Sequence, residues 1–106
     1  MNLNISGHHI ALTEPLRTYV KDKLKRVERH FDHLIEATVI LNVDKLEHKA
    51  EATLHARGAN LHAEAIASDM YAAIDGLIDK LDQQTRRFKE KIRDHHAREA
   101  PKHLAV

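Results

Sequence analysis

One stretch constrains this chain more than any other. From residue 70 onward, Met70, Ile74, Leu77, Ile78 and Leu81 recur at three- and four-residue spacing, and Phe88 and Ile92 continue the line. That pattern predicts a long α-helix with a single buried face, so the rest of the chain must supply the surface that covers it. Asp69 stands just before the stripe, where a short carboxylate can cap the first turn and meet the positive end of the helix dipole. Gly76 lowers helix stability relative to alanine, which points to close approach by another element. After Asp82 the helix turns mostly to Gln, Arg and Lys, so one end reads as packed and the other as facing something acidic.

The preceding residues supply that surface. Leu3 and Ile5 alternate with Asn2, Asn4 and Ser6, a short strand that Ser6-Gly7 should break, with Ile10 and Leu12 in a second short extended piece. Thr13 reads as the N-cap of a first helix, with Pro15 tolerated in its first turn. Leu16, Val20, Leu24, Val27 and Phe31 make that helix's apolar stripe, which should end near residues 30–33. Val39, Leu41 and Val43 alternate with Thr38, Ile40 and Asn42. A polar connection over 44–48 leads to Ala50, Ala52, Leu54 and Ala56, and Gly58-Ala59-Asn60 makes a turn into Leu61, Ala63, Ala65 and Ala67. Residues 37–67 therefore read as an antiparallel meander with an alanine-rich buried face on which helices can lie close.

The order β-α-β-β-β-α implies an α+β fold, a two-layer sandwich in which a four-stranded sheet carries two helices packed on one face. At 106 residues, with 42% hydrophobic and 31% charged side chains, the chain suits one soluble domain. Residues 1–94 should form it, and 95–106, which lack periodicity, should be a flexible C-terminal tail. The absence of cysteine excludes disulfides and thiolate metal sites. No apolar run approaches a membrane span and the N-terminus does not resemble a signal peptide, so a cytoplasmic protein without membrane contact is expected.

A net charge of +1 conceals a partition. Residues 14–33 hold six Lys/Arg against four Asp/Glu, residues 80–93 hold six against two, and residues 36–69 hold three against six. On the second helix, Lys80, Arg87 and Lys91 fall on one flank of the stripe with Gln84 between them, while Arg86, Lys89 and Arg93 lie elsewhere. On the first helix, Lys23 and Arg26 share a flank with His30, and Arg17, Lys21 and Lys25 run along the other. If the helices lie side by side, these flanks make a basic groove suited to phosphates; the same residues also fit an ordinary solvated helix face. Tyr19, Phe31, Tyr71 and Phe88 sit on or beside apolar stripes and read as core rather than as stacking platforms. Ten histidines invite a metal reading, with His55 and His62 facing each other across a hairpin, but no carboxylate–histidine cluster has a recognised ligand spacing and no metal site is expected. Without a glycine-rich phosphate loop, a nucleophile elbow or a cysteine nucleophile, the chain does not read as an enzyme, and no catalytic residue or cofactor is assigned.

The run Asp69-Met70-Tyr71-Ala72-Ala73-Ile74-Asp75-Gly76-Leu77-Ile78-Asp79-Lys80-Leu81 resembles the second-helix motif of the bacterial ribosome hibernation-promoting factors, the short form in particular. Leu3-Asn4-Ile5-Ser6-Gly7, Thr13-Glu14 with Leu16-Arg17, and Ala52-Thr53-Leu54-His55 are similar too, and the likeness spans about residues 1–93. It implies a domain likened to double-stranded RNA-binding domains, seated on the 30S subunit against 16S rRNA. There it overlaps mRNA and the A- and P-site tRNAs and blocks translation in stationary phase or stress. Carried over residue by residue, the rRNA contacts would be Lys23, Arg26, Lys80, Arg87, Lys89 and Lys91, with Arg17 a weaker match. The short form works with a separate ribosome modulation factor to pair 70S ribosomes into inactive 100S dimers, and should be a monomer off the ribosome. The tail, carrying Arg98, Glu99, Lys102 and His103, lacks the acidic extension of a related stress inhibitor. A free-standing double-stranded RNA-binding module is the alternative.

Overall fold

Six elements follow one another in the computed structural model, which describes the backbone of residues 1–31 and 34–105 and the side chains of residues 1–29, 31 and 34–88. They are β1 (Asn2–His8), α1 (Glu14–His30), β2 (Leu34–Asp44), β3 (Glu47–Ala56), β4 (Ala59–Ala67) and α2 (Met70–Ala105). The strands form one sheet in the order β1-β2-β3-β4. β2, β3 and β4 pair antiparallel, as a meander should, whereas β1 lies parallel to β2, and α1 makes the crossover that a parallel pair requires.

The alternation along the strands decides which face is covered. Ala37, Val39, Leu41, Ala50, Ala52, Leu54, Ala63 and Ala65 are buried on one side. There they join Leu16, Val20, Leu24 and Val27 of α1 and Met70, Ile74, Leu77, Ile78 and Leu81 of α2 in a single core. The opposite face carries polar side chains from all four strands and, among the described residues, no helix. This is the two-layer α+β arrangement expected from the order of elements.

Both helix starts are capped as read. The Thr13 hydroxyl accepts from the Leu16 N–H at 3.4 Å, and the Asp69 carboxylate accepts from the Ala72 N–H at 2.9 Å. Contacts between the helices pair early residues with early and late with late. Tyr19 meets Tyr71 with ring centroids 4.9 Å apart, and Phe31 meets Phe88 at 5.7 Å, both edge to face. The helices therefore lie side by side and run in the same direction. Thr85 takes a position on the α2 stripe and is fully buried; its hydroxyl donates to the Asp82 carbonyl at 2.8 Å, which removes the cost of its burial.

Gly76 marks a close approach, as its helix-weakening character suggests: a Cβ there would stand 3.2 Å from the Ala65 Cβ of β4. Gly7 serves differently from the break expected of it. β1 runs through it to His8, and the chain folds back so that the Ile10 carbonyl oxygen would lie 2.8 Å from a Cβ on residue 7. Ile10 and Leu12 pack on the core from a connection, not from a second strand. The loops are also tighter than read. Lys45-Leu46 alone joins β2 to β3, and Arg57-Gly58, with Gly58 at φ 85°, joins β3 to β4. α2 continues as helix over 95–105, where the aperiodic sequence predicts a frayed tail.

Candidate nucleic-acid interface

The helix layer presents the basic side chains, and its geometry follows from α2 lying between α1 and β4. On its α1 side a hollow is lined by Lys23, Arg26, Asp75, Ile78 and Asp79. Lys23 Nζ lies 3.8 Å from the Asp75 carboxylate and 5.2 Å from the centre of the Tyr19 ring. The Tyr19 hydroxyl donates to the same carboxylate, and that hydrogen bond holds the phenol's pKa above its ordinary value. Tyr71, edge-on to Tyr19, keeps 43% of its surface exposed.

On its other side α2 seals the edge of the sheet. β4 is the last strand, so alternate carbonyls point outward with no further strand to receive them. Lys80 Nζ donates to the Glu64 carbonyl at 2.7 Å, and Gln84 Nε2 donates to the His62 carbonyl at 2.8 Å. Arg87 lies one turn or two beyond and lines a hollow with His62, Glu64, Lys80, Gln83 and Gln84.

Among the described residues, the rRNA-binding side chains expected from the sequence thus separate. Lys23 and Arg26 come together on the α1 side of α2; Lys80 and Arg87 come together on the β4 side. They form two separate cationic pairs with the body of α2 between them, not one groove, because the flank of α2 that carries Lys80 and Arg87 faces β4, and each pair has carboxylates beside it. Arg17 is half-buried near the start of α1. The side chains of Lys89 and Lys91 lie outside the described residues. Sequence reasoning missed the acidic lining of the inter-helical hollow by Asp75 and Asp79, and the fixing of Lys80 and Gln84 onto β4. It also counted Tyr71 as core; of the four aromatics Phe31 is buried and Tyr19 and Phe88 are half-buried, but Tyr71 is exposed.

The open face of the sheet carries a second charged group. Lys49 Nζ and a Glu64 carboxylate oxygen are 3.1 Å apart, which lowers the pKa of Glu64 and raises that of Lys49. Glu51 lies opposite Glu64, and His62 lies opposite Thr53. His55 is paired with Asn60 and so does not face His62.

Comparison with known proteins converges on one family. Residues 3–93 match the model described as sigma 54 modulation protein / S30EA ribosomal protein. A ribosome hibernation promoting factor of Salmonella typhimurium is 47% identical over 95 residues, covering 90% of this chain and 100% of that protein. One from Pseudomonas putida is 54% identical over 91 residues, covering 86% of this chain and 89% of its own. Among solved structures, a ribosomal subunit interface protein from Coxiella burnetii superposes with a TM-score of 0.81 at 27% identity, over 85% of this chain and 99% of that one. The N-terminal domain of Thermus thermophilus Protein Y gives 0.78 at 34% identity, over 83% and 99%.

Proposed function

The chain belongs to the sigma 54 modulation protein / S30EA ribosomal protein family, and we propose that it is a ribosome hibernation factor that silences translation by occupying the small subunit. The observation that carries this is coverage. The family match, over residues 3–93, takes in the four strands, α1 and the first two-thirds of α2, and a hibernation promoting factor is matched along its whole length. The reading places the protein in the cytoplasm, where ribosomes are; among the described residues no helix is long and apolar enough to cross a membrane.

The finer mechanism is steric. Lys and Arg on both helices neutralise phosphates of 16S rRNA in the decoding channel, and the body of the domain takes space that mRNA and A- and P-site tRNA need. Such contacts fix position and carry little sequence information, and occlusion needs no covalent chemistry. With a separate ribosome modulation factor, the protein promotes inactive 100S dimers; off the ribosome it is a monomer. Residues 1–94 are the binding unit and 95–106 an appended tail. The two cationic pairs on either side of α2 suit two phosphate tracks better than a single one, with Arg26 and Arg87 the most available cations, since Lys23 and Lys80 are already engaged.

Co-sedimentation with purified 30S, 50S and 70S particles across a salt series tests the reading. Binding to 30S and 70S but not to 50S, falling steeply with salt, is expected. Charge reversal at Arg26 and Arg87 should weaken binding and flatten the salt dependence by about one unit of slope per lost contact. These two are better probes than Lys80, whose replacement also uncovers the β4 edge. Absence of binding at low salt would refute the proposal, and equal affinity for naked duplex RNA would favour a general RNA-binding module.

A further inference from the structure

The open face of the sheet, beside the hollow that Lys80 and Arg87 line, holds a grouping of two carboxylates and an imidazole. Glu51 on β3 stands directly opposite Glu64 on β4, and His62 is two residues before Glu64 on the same face. Like charges placed directly across a strand pair repel, and the Lys49 ammonium, paired with Glu64 at 3.1 Å, offsets that repulsion in the absence of a metal. Among the described residues, one ligand atom from each of Glu51, His62 and Glu64 lies within 4.8 Å of the others.

We propose that Glu51, His62 and Glu64 form a binding site for a divalent transition-metal ion of the zinc type, with three protein ligands and a position left to water. Two strands suffice to build it, because residues two apart on one strand and one residue on the neighbouring strand converge on a single point above the sheet. His62 Nε2 is 3.3 Å from Glu51 Oε2. Two ligands sharing a tetrahedral ion at bond lengths of about 2.1 Å stand about 3.4 Å apart, so this pair is already spaced for the metal. The exposed Glu64 carboxylate closes the remainder by a change of rotamer. The other ring nitrogen, His62 Nδ1, is 3.0 Å from Thr53 Oγ1. With its proton on Nδ1 the ring donates to Thr53 and turns a lone pair on Nε2 toward the carboxylates, which is how an outer partner orients a ligating imidazole. The imidazole and carboxylate ligands suit zinc better than calcium or magnesium.

Lys49 is the built-in competitor. Its ammonium holds Glu64 at 3.1 Å and keeps that carboxylate ionised to lower pH than usual. A metal ion entering the site displaces an ammonium from an exposed pair, which is a weak obstacle.

The test is zinc chloride titrated into the full-length protein by calorimetry, alongside side-chain 15N spectra of the histidines. One-to-one uptake is expected, with His62 Nε2 moving and Nδ1 staying protonated. His62→Ala and Glu64→Gln should each weaken uptake at least tenfold. Thr53→Val should weaken it about tenfold, as loss of an orienting partner does. Lys49→Met should tighten it, by up to about fivefold for an exposed pair. Those opposite responses separate a built site from binding at the adjacent histidine pairs His8-His9 and His95-His96. The proposal falls if His62→Ala binds zinc as tightly as the parent, if Lys49→Met weakens uptake, or if only the paired histidines shift.

Discussion

Gly76 offers the sharpest test of how α2 is seated. In the middle of a helix, alanine is favoured over glycine by about 0.8–1 kcal/mol, so on propensity alone Gly76→Ala should stabilise the protein. The structure opposes this. The new methyl would stand 3.2 Å from the Ala65 Cβ, short of the roughly 3.5–4.0 Å at which carbons rest. Neither methyl has a rotamer by which to escape, so α2 and β4 must separate by about half an ångström to restore that distance. Lys80 to the Glu64 carbonyl and Gln84 to the His62 carbonyl tie the two elements together just beside the contact, at the residues preceding Ala65, and resist that shift. Overpacking of this kind costs about 1–3 kcal/mol; set against the propensity gain of about 1 kcal/mol, the net is a destabilisation of about 0–2 kcal/mol. Ala65→Gly alone loses a buried methyl and strand propensity, about 1–2 kcal/mol together. The double variant exchanges the two methyls across the contact and relieves the clash, so the singles should not add. A coupling of about 1 kcal/mol or more in favour of the double variant is expected. Urea unfolding followed by far-ultraviolet circular dichroism measures all four proteins. If Gly76→Ala is stabilised by the full propensity term, or if the effects add to within about 0.5 kcal/mol, the close approach does not constrain the helix.

Two other consequences are as direct. Leu77→Ala removes a side chain that is 1% exposed at the centre of the core, and should cost about 2–5 kcal/mol in chemical denaturation; a loss under 1 kcal/mol would mean the site collapses without a cavity, against expectation. Because Asp75 accepts from the Tyr19 hydroxyl, the phenol's pKa is raised, so its contribution to stability is present below the unfolded pKa and lost as pH rises through the folded one. Ultraviolet titration of tyrosinate should find this group ionising above the ordinary tyrosine value, and Asp75→Asn should bring it down; no movement would show that the bond does not persist in solution.

Much of this architecture is written in periodicities. The α2 stripe, the α1 stripe and the alternation of β2, β3 and β4 each state which face is buried, and the buried faces assemble as read. Periodicity does not state which strand lies beside which. Leu3 and Ile5 specify the inward face of β1 equally well for a parallel or an antiparallel neighbour, so the parallel pairing with β2 was not legible. The site depends on that same missing information. Projection correctly puts Lys80 and Arg87 on one flank of α2, but only the strand order puts that flank beside β4. The histidines show how one loop propagates: with the turn at Arg57-Gly58 rather than over 58–60, His62 falls opposite Thr53, and Glu51 is brought against Glu64.

The parallel pairing of β1 and β2 also bears on the order in which the protein can come into being. β1 is made before α1, yet its hydrogen-bonding partner follows only after all of α1. The inner face of the sheet then waits for Met70, Ile74, Leu77 and Leu81, which belong to α2, made after all four strands. Chains fold from the N-terminus as they emerge, at about 5–20 residues per second, but here no early portion holds a closed core on its own. The single core is therefore complete only once α2 is out. The surface that the two helices present together exists only after α2 has been translated, so a nascent copy that has not yet made α2 does not carry the finished interface.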